Sequence, residues 1–172
     1  TPRVLAVSGD EMFYIQEDLG DSVLFDALKA GRLTGVFSTE EKEILHKTIA
    51  LLADFQVLGA KDLDFSVCYP QAEFNHRSVH WDLNYFKYNF LKTTGMEFQE
   101  DLLENDFDKL SQHLLQDESD TFLYRDFQSR NVMLVDGRPY FIDYQGGRKG
   151  PVHYDVASFL WQAKANFPED LR

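Results

Sequence analysis

The chain predicts an α+β fold, mainly α-helical. Two short β-type runs open it. Long stretches with apolar residues at three- and four-residue steps fill the middle, and a compact β-rich insert separates the last two helical segments. At 172 residues the length suits one domain around one core. A hydrophobic fraction of 44%, with 15 Phe and 8 Tyr, requires a packed interior rather than a disordered chain.

Val4 to Val7 and Met12 to Gln16 read as strands, and Ser8-Gly9-Asp10 between them suits a hairpin turn. The acidic link Glu17-Asp18-Leu19-Gly20-Asp21 ends that pattern, and helical spacing begins with Val23, Leu24, Ala27 and Leu28. Ser38-Thr39-Glu40-Glu41 fits a capping box, in which the Ser38 hydroxyl and the Glu41 carboxylate each satisfy an orphan backbone N–H. The helix it opens carries Ile44, Leu45, Ile49, Leu52, Ala53 and Phe55 on one stripe, with a stop expected at Gly59.

The aromatic-rich stretch 69–94 holds a second helix, with Leu83, Phe86, Phe90 and Leu91 in helical spacing up to Gly95. A third runs from Gln99 to about Gln116, with Leu102, Leu103, Phe107, Leu110 and Leu114 on one side. Thr121 to Tyr124, Val132 to Val135 and Tyr140 to Ile142 then read as short strands. A last helix is expected from near Tyr154, carrying Val156, Ala157, Phe159, Leu160 and Ala163 ahead of Pro168.

Composition excludes several classes of function. The single cysteine, Cys68, has no partner for an internal disulfide or a zinc pair, which points to a reducing, cytoplasmic setting. No apolar run approaches the roughly 20 residues that span a bilayer, and no signal-peptide core follows Thr1-Pro2-Arg3, so no membrane association is expected. Seventeen Lys+Arg against 29 Asp+Glu give a net charge of -12, which repels a polyanion and argues against nucleic acid as a partner.

The chemistry-bearing stretch is Tyr124-Arg125-Asp126-Phe127-Gln128-Ser129-Arg130-Asn131, which matches the kinase catalytic-loop pattern H-R-D-x-x-x-x-N at its Arg, Asp and Asn. Phosphoryl transfer needs a group that orients the attacking hydroxyl and oxygen ligands for magnesium, and carboxylates and amides supply both. Asn131 opens one apolar strand and Asp143 closes the next, across Asp136-Gly137-Arg138. A three-residue connection sets Val135 opposite Pro139 and Asn131 opposite Asp143, with Cβ atoms about 4.5–5.5 Å apart. A two-residue turn slips that register by one and sends the two side chains to opposite faces.

Other candidates carry less. Gly146-Gly147-Arg148-Lys149-Gly150 lacks the phosphate-loop pattern and reads as a flexible loop. His76, His80 and His113 have no metal-ligand partners at useful spacing and read as surface or core histidines. His80-Trp81-Asp82 with Tyr85 and Tyr88 could line an acceptor pocket, but core packing is the plainer reading. Ser129 has no histidine placed to activate it, which disfavours hydrolase chemistry.

Asp126, Asn131 and the strand end Phe141-Ile142-Asp143-Tyr144-Gln145 resemble the aminoglycoside phosphotransferase and choline kinase family, of protein-kinase-like fold. In local wording the chain is most similar to bacterial cell-wall amino-sugar kinases, which phosphorylate an anomeric hydroxyl. The resemblance implies that residues 1–20 are the last hairpin and hinge of an N-terminal lobe, with Glu17, Asp18 and Leu19 at the nucleotide base. Residues 21–172 are then a helical C-terminal catalytic lobe, incomplete at both chain ends.

The same resemblance assigns Asp126 as catalytic base, Arg125 as its support, and Asn131 and Asp143 as magnesium ligands. Asp155, in Tyr154-Asp155-Val156-Ala157, becomes an acceptor under the loop, and Tyr124 replaces the motif histidine as loop support. The implied cofactors are ATP, or another nucleoside triphosphate, and Mg²⁺. The implied partner is a small molecule with a hydroxyl acceptor, and no oligomeric state follows.

The chain has no lysine before Lys29 and no Gly-rich strand pair ahead of the hinge, so the phosphate-binding lysine is expected upstream of Thr1. The rival readings are a non-catalytic binding or regulatory module and a kinase for aminoglycosides or choline-like alcohols. A protein kinase is disfavoured, because the stretch from Asp143 to Asp155 leaves no room for a long activation segment.

Overall fold

The computed structural model describes residues 1–116 and 120–172. Strands β1 (Val4–Val7) and β2 (Tyr14–Gln16) pair antiparallel, with Val7 opposite Tyr14. Their connection consumes residues 8–13: Ser8 N–H donates to the Phe13 carbonyl at 2.8 Å, and the Asp10 carboxylate accepts from Ser8 Oγ and Met12 N–H. The second strand therefore starts at Tyr14 rather than Met12. Both strands are exposed throughout, and Val4, Val7, Tyr14 and Gln16 line one side of a cleft.

Two short helices follow, α1 (Leu24–Ala27) and α2 (Lys29–Thr34), then the long α3 (Thr39–Gly59). The expected capping box forms: Ser38 Oγ accepts from Glu41 N–H at 3.2 Å and the Glu41 carboxylate accepts from Ser38 N–H at 2.8 Å. Glu41 is buried because its other oxygen accepts from Gly31 N–H at 2.9 Å, tying α2 to α3. Gly59 is the last residue of α3 and the cap falls on Ala60.

Helices α4 (His76–Asn89) and α5 (Glu100–Leu114) pack side by side, joined in part by buried Lys87, whose ammonium meets Glu100 and Glu104. Leu102 and Leu110 of the expected apolar side are exposed, and Phe107 carries the burial.

The β-rich insert splits in two. Strand β3 (Phe122–Leu123) leaves the hairpin of β4 (Val132–Val135) and β5 (Arg138–Phe141) and pairs instead with β6 (Arg148–Lys149). This corrects the reading of 146–150 as a flexible loop. A Cβ at Gly147 would overlap the Phe122 ring and one at Gly150 would press on Leu123 and Phe74, so these glycines let the backbone approach the core.

Helix α6 (Val152–Leu160) begins two residues before Tyr154, and Ala163 falls in a separate 3₁₀ turn. One core joins α1, α3, the β4–β5 hairpin and α6 through Leu24, Leu28, Leu52, Tyr124, Phe127, Phe141 and Phe159. Phe55 of α3 stands among the rings of Phe122, Tyr124, Phe141 and Tyr144, with centroids 5.4–5.7 Å away. The segment from Tyr124 to Asn131 crosses this aromatic base.

Candidate active site

The loop 124–131 is held from beneath by Asp155, a fully buried carboxylate in the first turn of α6. One oxygen accepts from Tyr124 N–H at 2.8 Å and Gln56 Nε2 at 2.7 Å, and the other accepts from Arg125 N–H at 2.9 Å. Burial pushes the Asp155 carboxyl up to about 6, against the pull of these donors and the Arg125 charge. Arg125 sits at φ 81°, a left-handed conformation that costs a non-glycine residue about 1–2 kcal/mol. The bond from its N–H to Asp155 helps hold it there.

The Arg125 side chain turns away from Asp126. Its guanidinium donates to both Asp82 oxygens, at 2.7 and 2.6 Å, and to Tyr154 Oη at 2.8 Å, between the Phe74 and Tyr154 rings. The side-chain bonds of Arg125 thus go to Asp82 and Tyr154 and not to Asp126. Tyr124, in the place of the motif histidine, is fully buried and donates its hydroxyl to the Ile142 carbonyl, linking the loop to the end of β5. Burial, with Asp143 and Asp126 nearby, holds its phenol well above the ordinary tyrosine range.

Asp126 is exposed. Its Oδ1 accepts from Gln128 Nε2 at 3.0 Å, and Asn131 Nδ2 donates to its carbonyl at 2.9 Å and lies 3.5 Å from Oδ2. Asn131, buried, thus spends its amide nitrogen inside the loop and keeps Oδ1 for another partner. Ser129 donates to Gln162 Oε1 through both N–H and Oγ, anchoring the far side of the loop.

The register between β4 and β5 differs from the expected one. Val135 faces Arg138 and Val132 faces Phe141, so the turn is the two residues Asp136 and Gly137. Asn131 lies opposite Ile142, whose N–H donates to the Asn131 carbonyl at 3.1 Å. Strict alternation would now send Asn131 and Asp143 to opposite faces, yet both line one cleft. Alternation fails at both residues: Asn131 ends a 3₁₀ turn (Ser129–Asn131) and the strand opens at Val132, while Asp143 at φ 66° has left the extended conformation.

That cleft, of about 680 Å³, lies between Asn131, Ile142, Asp143, Tyr144 and Gln145 on one side and Pro2, Val4, Val7, Tyr14 and Gln16 on the other. An amide oxygen and an exposed carboxylate on its wall are donors of the hard kind that magnesium takes, so the residues present fit that ion. Glu17, Asp18 and Leu19 follow Gln16 but do not line the cleft. Glu17 instead pairs with Arg3, and Asp18 accepts from Gly20 N–H at 2.8 Å.

Two local readings change with the structure. Trp81, Tyr85 and Tyr88 are 48%, 71% and 57% exposed, so core packing does not account for them. His76 and His80, expected to have no ligand-type partner, face Asp108 across the α4–α5 contact, while His113 is exposed. Asp82, Gln56 and Gln162, which hold the loop, have no sequence signature as its supports.

The loop thus sets the exposed Asp126 carboxylate beside the Asn131 amide, with the Asp143 carboxylate just past the end of β5. Residues 1–172 match the phosphotransferase enzyme family, and the chain belongs to it. That membership implies a protein-kinase-like fold, in accord with the mixed α+β architecture. The chain is 28% identical over 174 residues to the N-acetylmuramate/N-acetylglucosamine kinase of Neisseria meningitidis serogroup B, covering 99% of this chain and 48% of that protein. It is 26% identical over 172 residues to the N-acetylmuramate/N-acetylglucosamine kinase of Pseudomonas aeruginosa, covering 98% of this chain and 46% of that protein. The chain thus spans about half the length of the curated relatives it matches.

Proposed function

We propose that this chain supplies the catalytic lobe of a small-molecule kinase, which moves the terminal phosphoryl group of ATP or a similar nucleoside triphosphate to a hydroxyl of an amino sugar. Residues 21–172 form that lobe and residues 1–20 the last hairpin and hinge of a smaller one. The amino-sugar acceptor rests on the printed names of the two relatives. The lone cysteine and the lack, among the described residues, of a helix long and apolar enough to cross a membrane fit a cytoplasmic enzyme.

The observation that carries this reading is the bond from Asn131 to the Asp126 loop, with Asn131 and Asp143 on one cleft wall. Asp126 orients the acceptor hydroxyl and takes its proton late in transfer, because a carboxylate is too weak a base to remove it beforehand. Asn131 Oδ1 and the Asp143 carboxylate would hold magnesium, whose charge would offset that of the phosphate oxygens. Arg125, fixed by Asp82, and Asp155 keep the loop in its left-handed bend. The Tyr124 hydroxyl bond weakens the rival view of a non-catalytic module, since the departure from histidine still ties the loop to β5.

The test is phosphoryl transfer to N-acetylmuramate and N-acetylglucosamine by the full-length gene product and its Asp126→Ala variant. The expected loss is about 10²- to 10⁴-fold in kcat with the fold intact. An unchanged rate overturns the assignment of Asp126, and no transfer to any hydroxyl acceptor, with no binding of magnesium-nucleotide, returns the non-catalytic module.

A further inference from the structure

We propose that His76, His80 and Asp108 form a binding site for a zinc-type divalent transition-metal ion, joining α4 to α5 apart from the nucleotide cleft. His76 is the first residue of α4 and His80 lies four residues on, so both rings leave the same helix face. Their planes are 26° apart with centroids at 4.1 Å, which sets the two ring nitrogens side by side. Asp108 of α5 reaches across: its Oδ1 is 3.3 Å from His76 Nε2 and 3.1 Å from His80 Nε2. The ligand atoms of all three residues lie within 4.8 Å of one another.

These separations have a chemical meaning. Zinc bonds of about 2.0–2.2 Å to nitrogen and oxygen place neighbouring ligands of a tetrahedron roughly 3.3–3.5 Å apart. The two measured nitrogen–oxygen edges nearly match, so an ion can enter with small side-chain shifts. His80 supplies a second, independent observation. Its Nε2 is closed off from solvent and has no hydrogen-bond partner, although the Asp108 oxygen stands 3.1 Å away. The contact is therefore misaligned for a hydrogen bond, and the nitrogen is left for a partner at another angle.

A simple polar contact explains the cluster less well. Two imidazoles then share one carboxylate oxygen, and His80 Nε2 is still left without an aligned partner. One cation among the three takes both nitrogen lone pairs and neutralises the carboxylate. Imidazole donors select zinc, copper or nickel over magnesium and calcium. His80 is 18% exposed, while His76 at 57% and Asp108 at 52% leave an open side for water as a further ligand. None of the three lines the cleft of Asn131 and Asp143. Helix α4 also carries Asp82, so an ion here fixes the helix that grips Arg125.

Calorimetric titration of zinc chloride into the tag-free, chelator-stripped full chain tests the site. The expected result is one ion per chain, a rise in thermal midpoint with zinc, no competition by excess magnesium, and loss of binding in His76→Ala and Asp108→Asn. Both substituted side chains are half in solvent, so their apo forms should melt near the parent and report on binding alone. Cobalt should give the intense visible absorption of a tetrahedral site. Cys68→Ser should leave all of this intact. Absence of binding, retention of parental affinity in either variant, or its loss in Cys68→Ser overturns the proposal.

Discussion

The residue on which the loop turns is Asp155. It is raised by burial, so its folded carboxyl binds a proton more tightly than its unfolded one. The stability it contributes is full below an unfolded value near 4 and is lost as pH rises through about 6. Asparagine at 155 cannot titrate. In urea unfolding, the stability of the parent minus that of Asp155→Asn should fall by about 3 kcal/mol at most between pH 4 and 7. A flat difference would show that the bonds to Tyr124, Arg125 and Gln56 balance burial, and one that grows with pH that they outweigh it. Arg125 and Asp82 belong to the same scale: two parallel charge-assisted bonds set the side chain, while the backbone alone reaches Asp155.

At the scale of elements the decisive piece is the turn of the β4–β5 hairpin. Asp136 at φ 50° and Gly137 at φ 71° both adopt the left-handed conformation of a two-residue turn, whose twist matches that of the strands. Gly137→Ala should lower the unfolding free energy by about 1–2 kcal/mol, read as a lower urea midpoint with unchanged slope. No loss would mean that the turn tolerates a Cβ and does not fix the register. Asp-Gly was legible as a turn, but counting Arg138 into it moved every cross-strand partner by one. The spacing from Arg125 through Asp126 to Asn131 and the capping box at Ser38 could be read because each depends on neighbours within a few residues. The grip of Asp82 on Arg125, and of Gln56 on Asp155, joins residues 43 and 99 apart, and no local pattern encodes it. The exit of Asp143 from strand geometry was equally hidden, since a positive φ at a non-glycine residue has no mark in the sequence.

For the molecule as a whole, chemistry and burial are unevenly shared. The core lies under the 124–131 loop, whereas the β1–β2 hairpin keeps Leu5, Met12, Phe13 and Ile15 at 59–73% exposure. These two strands pair only with each other among the described residues, so both outer edges present unpaired backbone groups. A net charge of -12 opposes association at long range, but salt screens it within about 10 Å at 0.1 M. Raising salt should therefore increase self-association of the 172-residue chain in sedimentation velocity, and Ile15→Lys should suppress it. A chain that stays monomeric at high salt would show that the ribbon is not adhesive. If it is adhesive, storage buffer and protein concentration decide whether a preparation reaches the assay clear or as fibres, and a lysine on the outer face of β2 becomes a practical solubilising change that leaves the phosphate chemistry alone.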